Sequence, residues 1–177
     1  MKPMIRRTKG AVFILIGSVF FLLASACSQE DDVAAIRAII QNGAALAEAH
    51  DISSLMELAS EDIIAQPGGH NRLEIKRIIW VALRHYGQIK ILYPKPSVEL
   101  SAEENQASSK MFLLIVKKDR AVPELKDLYD DPRGWLETVG DNADLYQLEF
   151  EWLKTGTRWQ VRRARIDALR ARVFANE

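Results

Sequence analysis

Few residues in this 177-residue sequence are of types that do covalent or acid–base chemistry: it has three histidines and one cysteine. After Cys27 the chain has no thiol, so it can build no disulfide, thiolate zinc site or cysteine nucleophile. His50, His70 and His85 show no His-Glu-x-x-His or comparable spacing, which argues against a metal centre. His50 and His85 fall in the last turns of predicted helices, where a cation meets the negative end of the helix dipole. His70 lies in a Pro-Gly-Gly-His-Asn loop. Asp51 reads as the N-cap of a short helix. Asp62, at the start of an apolar strand, is the candidate general base, with Tyr146 as its partner, a role that needs apolar surroundings to raise its pKa. Arg163 and Arg165 suit a carboxylate or phosphate geometrically; the other readings are solvated rim residues or partners of Asp62 and of acids in segment 119–143. A Gly-rich phosphate loop, a serine elbow and a basic-aromatic nucleic-acid surface are all missing from the sequence. No cofactor is implied.

The elements that must position these residues follow from periodicity. Val33, Ile36, Ile40, Ala44 and Ala47 predict an amphipathic helix to about Ala49. A second short helix follows Asp51 and ends near Ser60. Ile63 and Ile64 form a brief strand broken by Pro67-Gly68-Gly69. Asn71 and Glu74 make a capping-box pattern, Ile75, Ile79, Leu83 and Tyr86 share one helix face, and Gly87 stops it. Strands then run over 88–93 and 98–100, with Pro94 and Pro96 bending the chain between them. Three longer strands follow at 108–118, apolar on both faces, 145–153 and 158–166. The last two are joined at Thr155-Gly156. An even turn there predicts that Trp152 faces Trp159, Phe150 faces Val161, Leu148 faces Arg163 and Tyr146 faces Arg165. All eight would share one face, making Tyr146, Phe150, Trp152, Trp159, Arg163 and Arg165 the candidate ligand-binding set. A bulge in either strand would swap faces beyond it.

The amino terminus has a different character. Lys2, Arg6, Arg7 and Lys9 precede an uncharged run from Gly10 to Ala26, and the first acid is Glu30. This is the layout of a secretory signal peptide. Leu23-Ala24-Ser25-Ala26 before Cys27 resembles the lipobox of bacterial lipoproteins, which implies that residues 1–26 are removed and that Cys27 is acylated. By the same resemblance, Ser28 after the cysteine directs the chain to the outer membrane, facing the periplasm. Residues 27–32 then form a lipidated tether and 33–177 one domain.

Helices first and an antiparallel sheet afterwards predict an α+β domain. The order of elements, closing on Gly156-Thr157-Arg158-Trp159-Gln160-Val161, resembles the nuclear transport factor 2-like superfamily, including SnoaL-like proteins and ketosteroid isomerases. The resemblance covers about residues 30–168 and implies a curved sheet around helices, a cone with a small-molecule pocket at its open end. Segment 119–143 departs from it as an acidic insertion. In ketosteroid isomerases a tyrosine of the first helix and an acid on a late strand form the oxyanion site. Here residues 33–49 hold no tyrosine, and strand 108–118 holds no acid and is apolar from Met111 to Val116. Scytalone dehydratase-like members use a histidine pair, and no histidine falls on a strand here.

The whole chain balances 24 Lys+Arg against 24 Asp+Glu, which excludes a general nucleic-acid binder. Loss of the four amino-terminal cations leaves 20 against 24, so the mature portion is net −4 and carries no general attraction to anionic membranes. The resulting expectation is an envelope protein anchored through Cys27 that binds a small apolar or anionic molecule or docks a partner without catalysis. The alternatives are an isomerase, dehydratase or hydrolase using Asp62 with Tyr146 or an arginine, and a structural homodimer.

Overall fold

In the computed structural model the described residues are 30–102, 105–117 and 143–168. Cys27, the lipobox and nearly all of the acidic insertion lie outside them. Helix α1 runs over 30–48 and α2 over Ile52–Glu57. Strand β1 is Ala59–Gln66 and helix α3 Arg72–Tyr86. Then come β2 (Ile89–Leu92), β3 (Ser97–Leu100), β4 (Gln106–Lys117), β5 (Ala143–Thr155) and β6 (Arg158–Ala168).

Local chemistry sets the boundaries. The Asp51 carboxylate accepts from the Ser54 backbone N–H at 3.1 Å and from its hydroxyl at 2.7 Å, capping α2. Asn71 accepts from the N–H groups of Leu73 and Glu74 while Glu74 accepts from the Asn71 N–H, the complete capping box. Gly87 closes α3 with φ +69°, a conformation that costs a side chain dearly. His50, itself at φ +59°, reaches across to the Gly87 carbonyl at 2.9 Å. A carbonyl only accepts, so Nε2 carries the proton there, and the bond ties the end of α1 to the end of α3.

The six strands form one mixed sheet in the order β1-β6-β5-β4-β2, with β3 also on β4. An all-antiparallel sheet was expected. The difference is β1, which runs parallel to β6 and is longer than the two-residue core Ile63-Ile64 suggested. β2 and β3 pair with successive stretches of β4, so Tyr93 to Pro96 interrupts one edge of the sheet as the prolines imply. The helices cover one face. There Ile36 and Ile40 of α1, Met56 of α2 and Ile75 of α3 meet Ile63, Ala107, Met111, Leu113, Trp152, Trp159 and Val161. On the opposite face Leu114 and Val116 are also buried, beside Leu92 and Leu145. β4 is therefore apolar on both sides at this end.

An ionic contact fixes the first described turn of the amino-terminal helix. Asp32 accepts from Lys154 Nζ at 2.6 and 2.9 Å and from the Trp159 indole N–H at 2.9 Å. Lys154 lies 5.5 Å from the Trp159 ring centre. The Lys154 bond, helped by the Trp159 bond and opposed by burial, holds the Asp32 carboxyl below its ordinary 3.8. A carboxyl lowered on folding contributes stability that is complete above its unfolded value and vanishes as pH falls through its folded one. Asp32→Ala should cost about 1.5–3 kcal/mol at pH 7, the range for hydrogen bonds to charged groups. Urea unfolding should show that difference shrinking as pH drops below 3.8; a difference constant with pH would show that the ion pair is not its source.

Candidate functional site

The β5–β6 hairpin decides which side chains share the inner face. Its turn is Gly156-Thr157, closed by Thr155 opposite Arg158, with Gly156 at φ +63°. The expected turn lay one residue earlier. Trp152 therefore faces Val161, and Lys154 faces Trp159. Between Glu151 and Trp152 the register shifts, so Arg162 is an extra residue and Phe150 faces Ala164. Every residue of β6 beyond Arg162 thus changes face relative to an unbulged strand.

The consequences differ among the candidate residues. Tyr146, Phe150, Trp152 and Trp159 do share the core-facing side. Trp152 and Trp159 are each only 3% exposed and belong to the main core, and Trp152 donates to the buried Ser109 hydroxyl at 2.9 Å. Phe150 meets the Trp152 ring edge-on at 5.7 Å. These three are packing residues. Arg163 and Arg165 are corrected to the outer face, where Arg163 pairs with Glu151 at 3.3 Å and Arg165 with Asp167 at 3.1 Å. Beside them Lys110 holds Glu149 at 2.9 Å and keeps its carboxyl below the ordinary range. This face carries an open depression of about 650 Å³, in which Lys110 and Arg163 already pair with Glu149 and Glu151.

Asp62 is also corrected. It is exposed, 3.5 Å from Arg162, and its carboxyl sits below the usual range, first through the Ser60 hydroxyl and then through backbone N–H and Arg162. The Ser60 oxygen makes no hydrogen bond of good geometry, so its influence on Asp62 is that of a nearby dipole. A group held ionised in water is the opposite of a base raised by apolar surroundings. Among the described residues no cluster of three or more His, Asp or Glu could hold a metal ion.

A different trio comes together. Tyr86, at the end of α3, donates to the Asp144 carboxylate, and its oxygen lies 2.7 Å from the Tyr146 hydroxyl. Tyr86 has one proton and gives it to Asp144, so Tyr146 donates to Tyr86. The arrangement is a chain from a carboxylate through two phenols, all three part-buried. Asp144 pairs with Ile115 and Tyr146 with Leu113, which gives the trio apolar walls. Burial, then the bonds to Asp144 and Tyr146, push the Tyr86 pKa well above 10. Nearby, Glu48 at the end of α1 accepts from the Ile91 N–H at 2.7 Å. Burial and that carboxylate raise Tyr93 as well. Three of the four tyrosines thus lie on the core side of one end of the sheet.

Such a chain leaves the Tyr146 oxygen with acceptor capacity and its proton committed inward. It suits a hydroxyl or amine on a mostly apolar molecule. The sequence pattern puts Tyr86 on the inner face of α3 but starts the strand at Leu145, one residue too late to include Asp144. The alternation Asp144, Tyr146, Leu148, Phe150, Trp152 is the signal that extends it.

No family model and no curated protein matches this sequence. Solved structures do match. A nuclear transport factor 2-like protein with a cystatin-like fold from Novosphingobium aromaticivorans has a TM-score of 0.60 at 18% identity, over 84% of this chain and 89% of that one. A protein of the same organism assigned provisionally as a scytalone dehydratase gives 0.59 at 11%, over 81% and 87%. A cystatin-like protein of unknown function from Nostoc punctiforme gives 0.58 at 10%, over 77% and 90%. At these identities the likeness is one of fold. The chain has the nuclear transport factor 2-like, cystatin-like α+β fold.

Tyr86→Phe should cost about 1–3 kcal/mol, because it strips a charged acceptor of its donor. A phenol raised on folding adds stability that is complete below its unfolded value of 10.0 and is lost as pH rises above it. Unfolding measured from pH 8 to 11 should therefore show wild-type stability falling above 10, and falling less in Tyr86→Phe. Equal slopes would mean that Tyr86 is not the raised group.

Proposed function

We propose that this protein is a lipid-anchored envelope protein, held by acyl chains on Cys27, whose folded domain binds a small molecule without transforming it. The observation that carries the binding site is the Tyr86–Asp144–Tyr146 chain, the polar group set of the core-facing side at that end of the sheet. Its ligand has an apolar body, against Leu113 and Ile115, and a hydroxyl or amine that donates to Tyr146. Support for an outer-membrane location is the sequence of residues 1–28 alone. The scytalone dehydratase assignment of a structural neighbour keeps catalysis as the second reading, and Asp144 joined to a phenol supplies an acid–base pair for it.

Cys27→Ala should leave a longer, unacylated precursor in the inner membrane; an unchanged mature mass and location would overturn the anchor. For the site, native mass spectrometry of processed protein from its own envelope should detect a bound small molecule. Tyr146→Phe should weaken its binding about tenfold, equivalent to ~1.4 kcal/mol, and lower its occupancy accordingly. Equal occupancy in Tyr146→Phe would place the ligand elsewhere. Recovery of the bound molecule in a chemically altered form would favour the catalytic reading.

A further inference from the structure

Helix α3 shows solvent a stripe that its packing does not use. Ile75 and Leu83 are buried, with Ile79 and Tyr86 on the same side. On the other side Leu73 is 69% exposed, Trp80 49% and Val81 54%. Arg77 and Arg84 share this outer face, since positions 73, 77, 80 and 84 recur at helical spacing. The Arg84 guanidinium stands 5.2 Å from the Trp80 ring centre. The helix has four cations, Arg72, Lys76, Arg77 and Arg84, against one acid, Glu74, in a chain whose mature portion is net −4. Exposed positions of α1 add no charge after Asp31: Ala34, Ala35, Ala38, Gln41, Asn42 and Ala45. Beside the stripe, Leu73, Lys76, Arg77 and Trp80 form one wall of a groove of about 480 Å³, with His50 to Ser53 opposite. The acid in that groove, Asp51, already caps α2.

We propose that this outer face of α3 rests on an anionic bilayer. Arg77 and Arg84 contact lipid phosphates, and Leu73, Trp80 and Val81 enter the headgroup layer. A tryptophan beside cations on long apolar stems is the composition that an interface favours. Local positive charge on an acidic domain gives the complementarity to anionic lipid that the whole-chain charge conceals. Cys27 lies three residues before the first described residue of α1, so an acyl anchor there would bring the domain to the surface. The proposal rests on the anchor reading for that proximity.

The test places full-length processed protein in vesicles of phosphatidylcholine, with or without phosphatidylglycerol. The acylated Cys27 takes no label, so Val81→Cys and Thr157→Cys can each carry a spin label alone. With phosphatidylglycerol the label at 81 should collide several-fold more often with a headgroup-linked nickel chelate, while the label at 157 changes little. The gain should vanish in 1 M salt, where the Debye length is about 3 Å, and in Arg77→Glu/Arg84→Glu. Equal collision in both lipids overturns the proposal, as does spin–spin broadening at 81, which would show a second copy covering the face. Acyl attachment survives salt and charge reversal. If the protein floats with neither vesicle after a salt wash, the anchor reading fails; salt-sensitive flotation with phosphatidylglycerol alone would still support the α3 contact.

Discussion

One extra residue in β6 arranges the rest of the sheet. Side chains alternate along a strand, so inserting Arg162 opposite the Glu151–Trp152 step reverses the facing of everything after it. Ala164 and Ile166 then lie on the side of Phe150 and Leu148, while Arg163 and Arg165 point outward to acids. Without the bulge two guanidinium groups would enter an apolar interior, at the desolvation cost that buried charges carry. With it, the aromatic side of β5 meets small and apolar partners from end to end. Tyr146 and Asp144 are left as its polar terminus.

The two ends of this inner face have different chemistry. At the turn end Asp32 collects Lys154 and the Trp159 indole and fixes the first described turn of α1. At the far end the same helix delivers Glu48, and His50 holds the last turn of α3 through Gly87. That attachment sets Tyr86 over Asp144 and Tyr146. The tyrosine chain therefore depends on helix placement as much as on strand register. Between the ends, Trp152 and Trp159 fill the interior, which is why the proposed ligand site lies at the end rather than along the length of the sheet.

Much of the fold was legible in the residues. The capping box at Asn71, the Asp51 cap, the Gly87 stop, the proline break before β3 and the hairpin strands all rest on local rules that tertiary structure does not override. The α+β order and the aromatic face were equally open to reading. Two things were not. A bulge depends on which pairing of two strands costs least, and nothing in Arg162 itself announces it. The site joins residues 58 and 60 positions apart, a distance over which periodicity carries no information. Asp62 misled for a related reason: an acid preceding Ile63 and Ile64 looks enclosed, but alternation on β1 turns it outward to Arg162.

The proposed ligand site is the phenol chain of Tyr86 and Tyr146. Protein labelled with carbon-13 at the tyrosine ring carbons, titrated with small-molecule extract of its own envelope, reports on that chain directly by NMR. Tyr86 and Tyr146 resonances should shift together and saturably while the Trp152 and Trp159 indole signals hold still. Shifts centred on the indoles, or on the tryptophan of α3 with Tyr86 and Tyr146 unmoved, would contradict it.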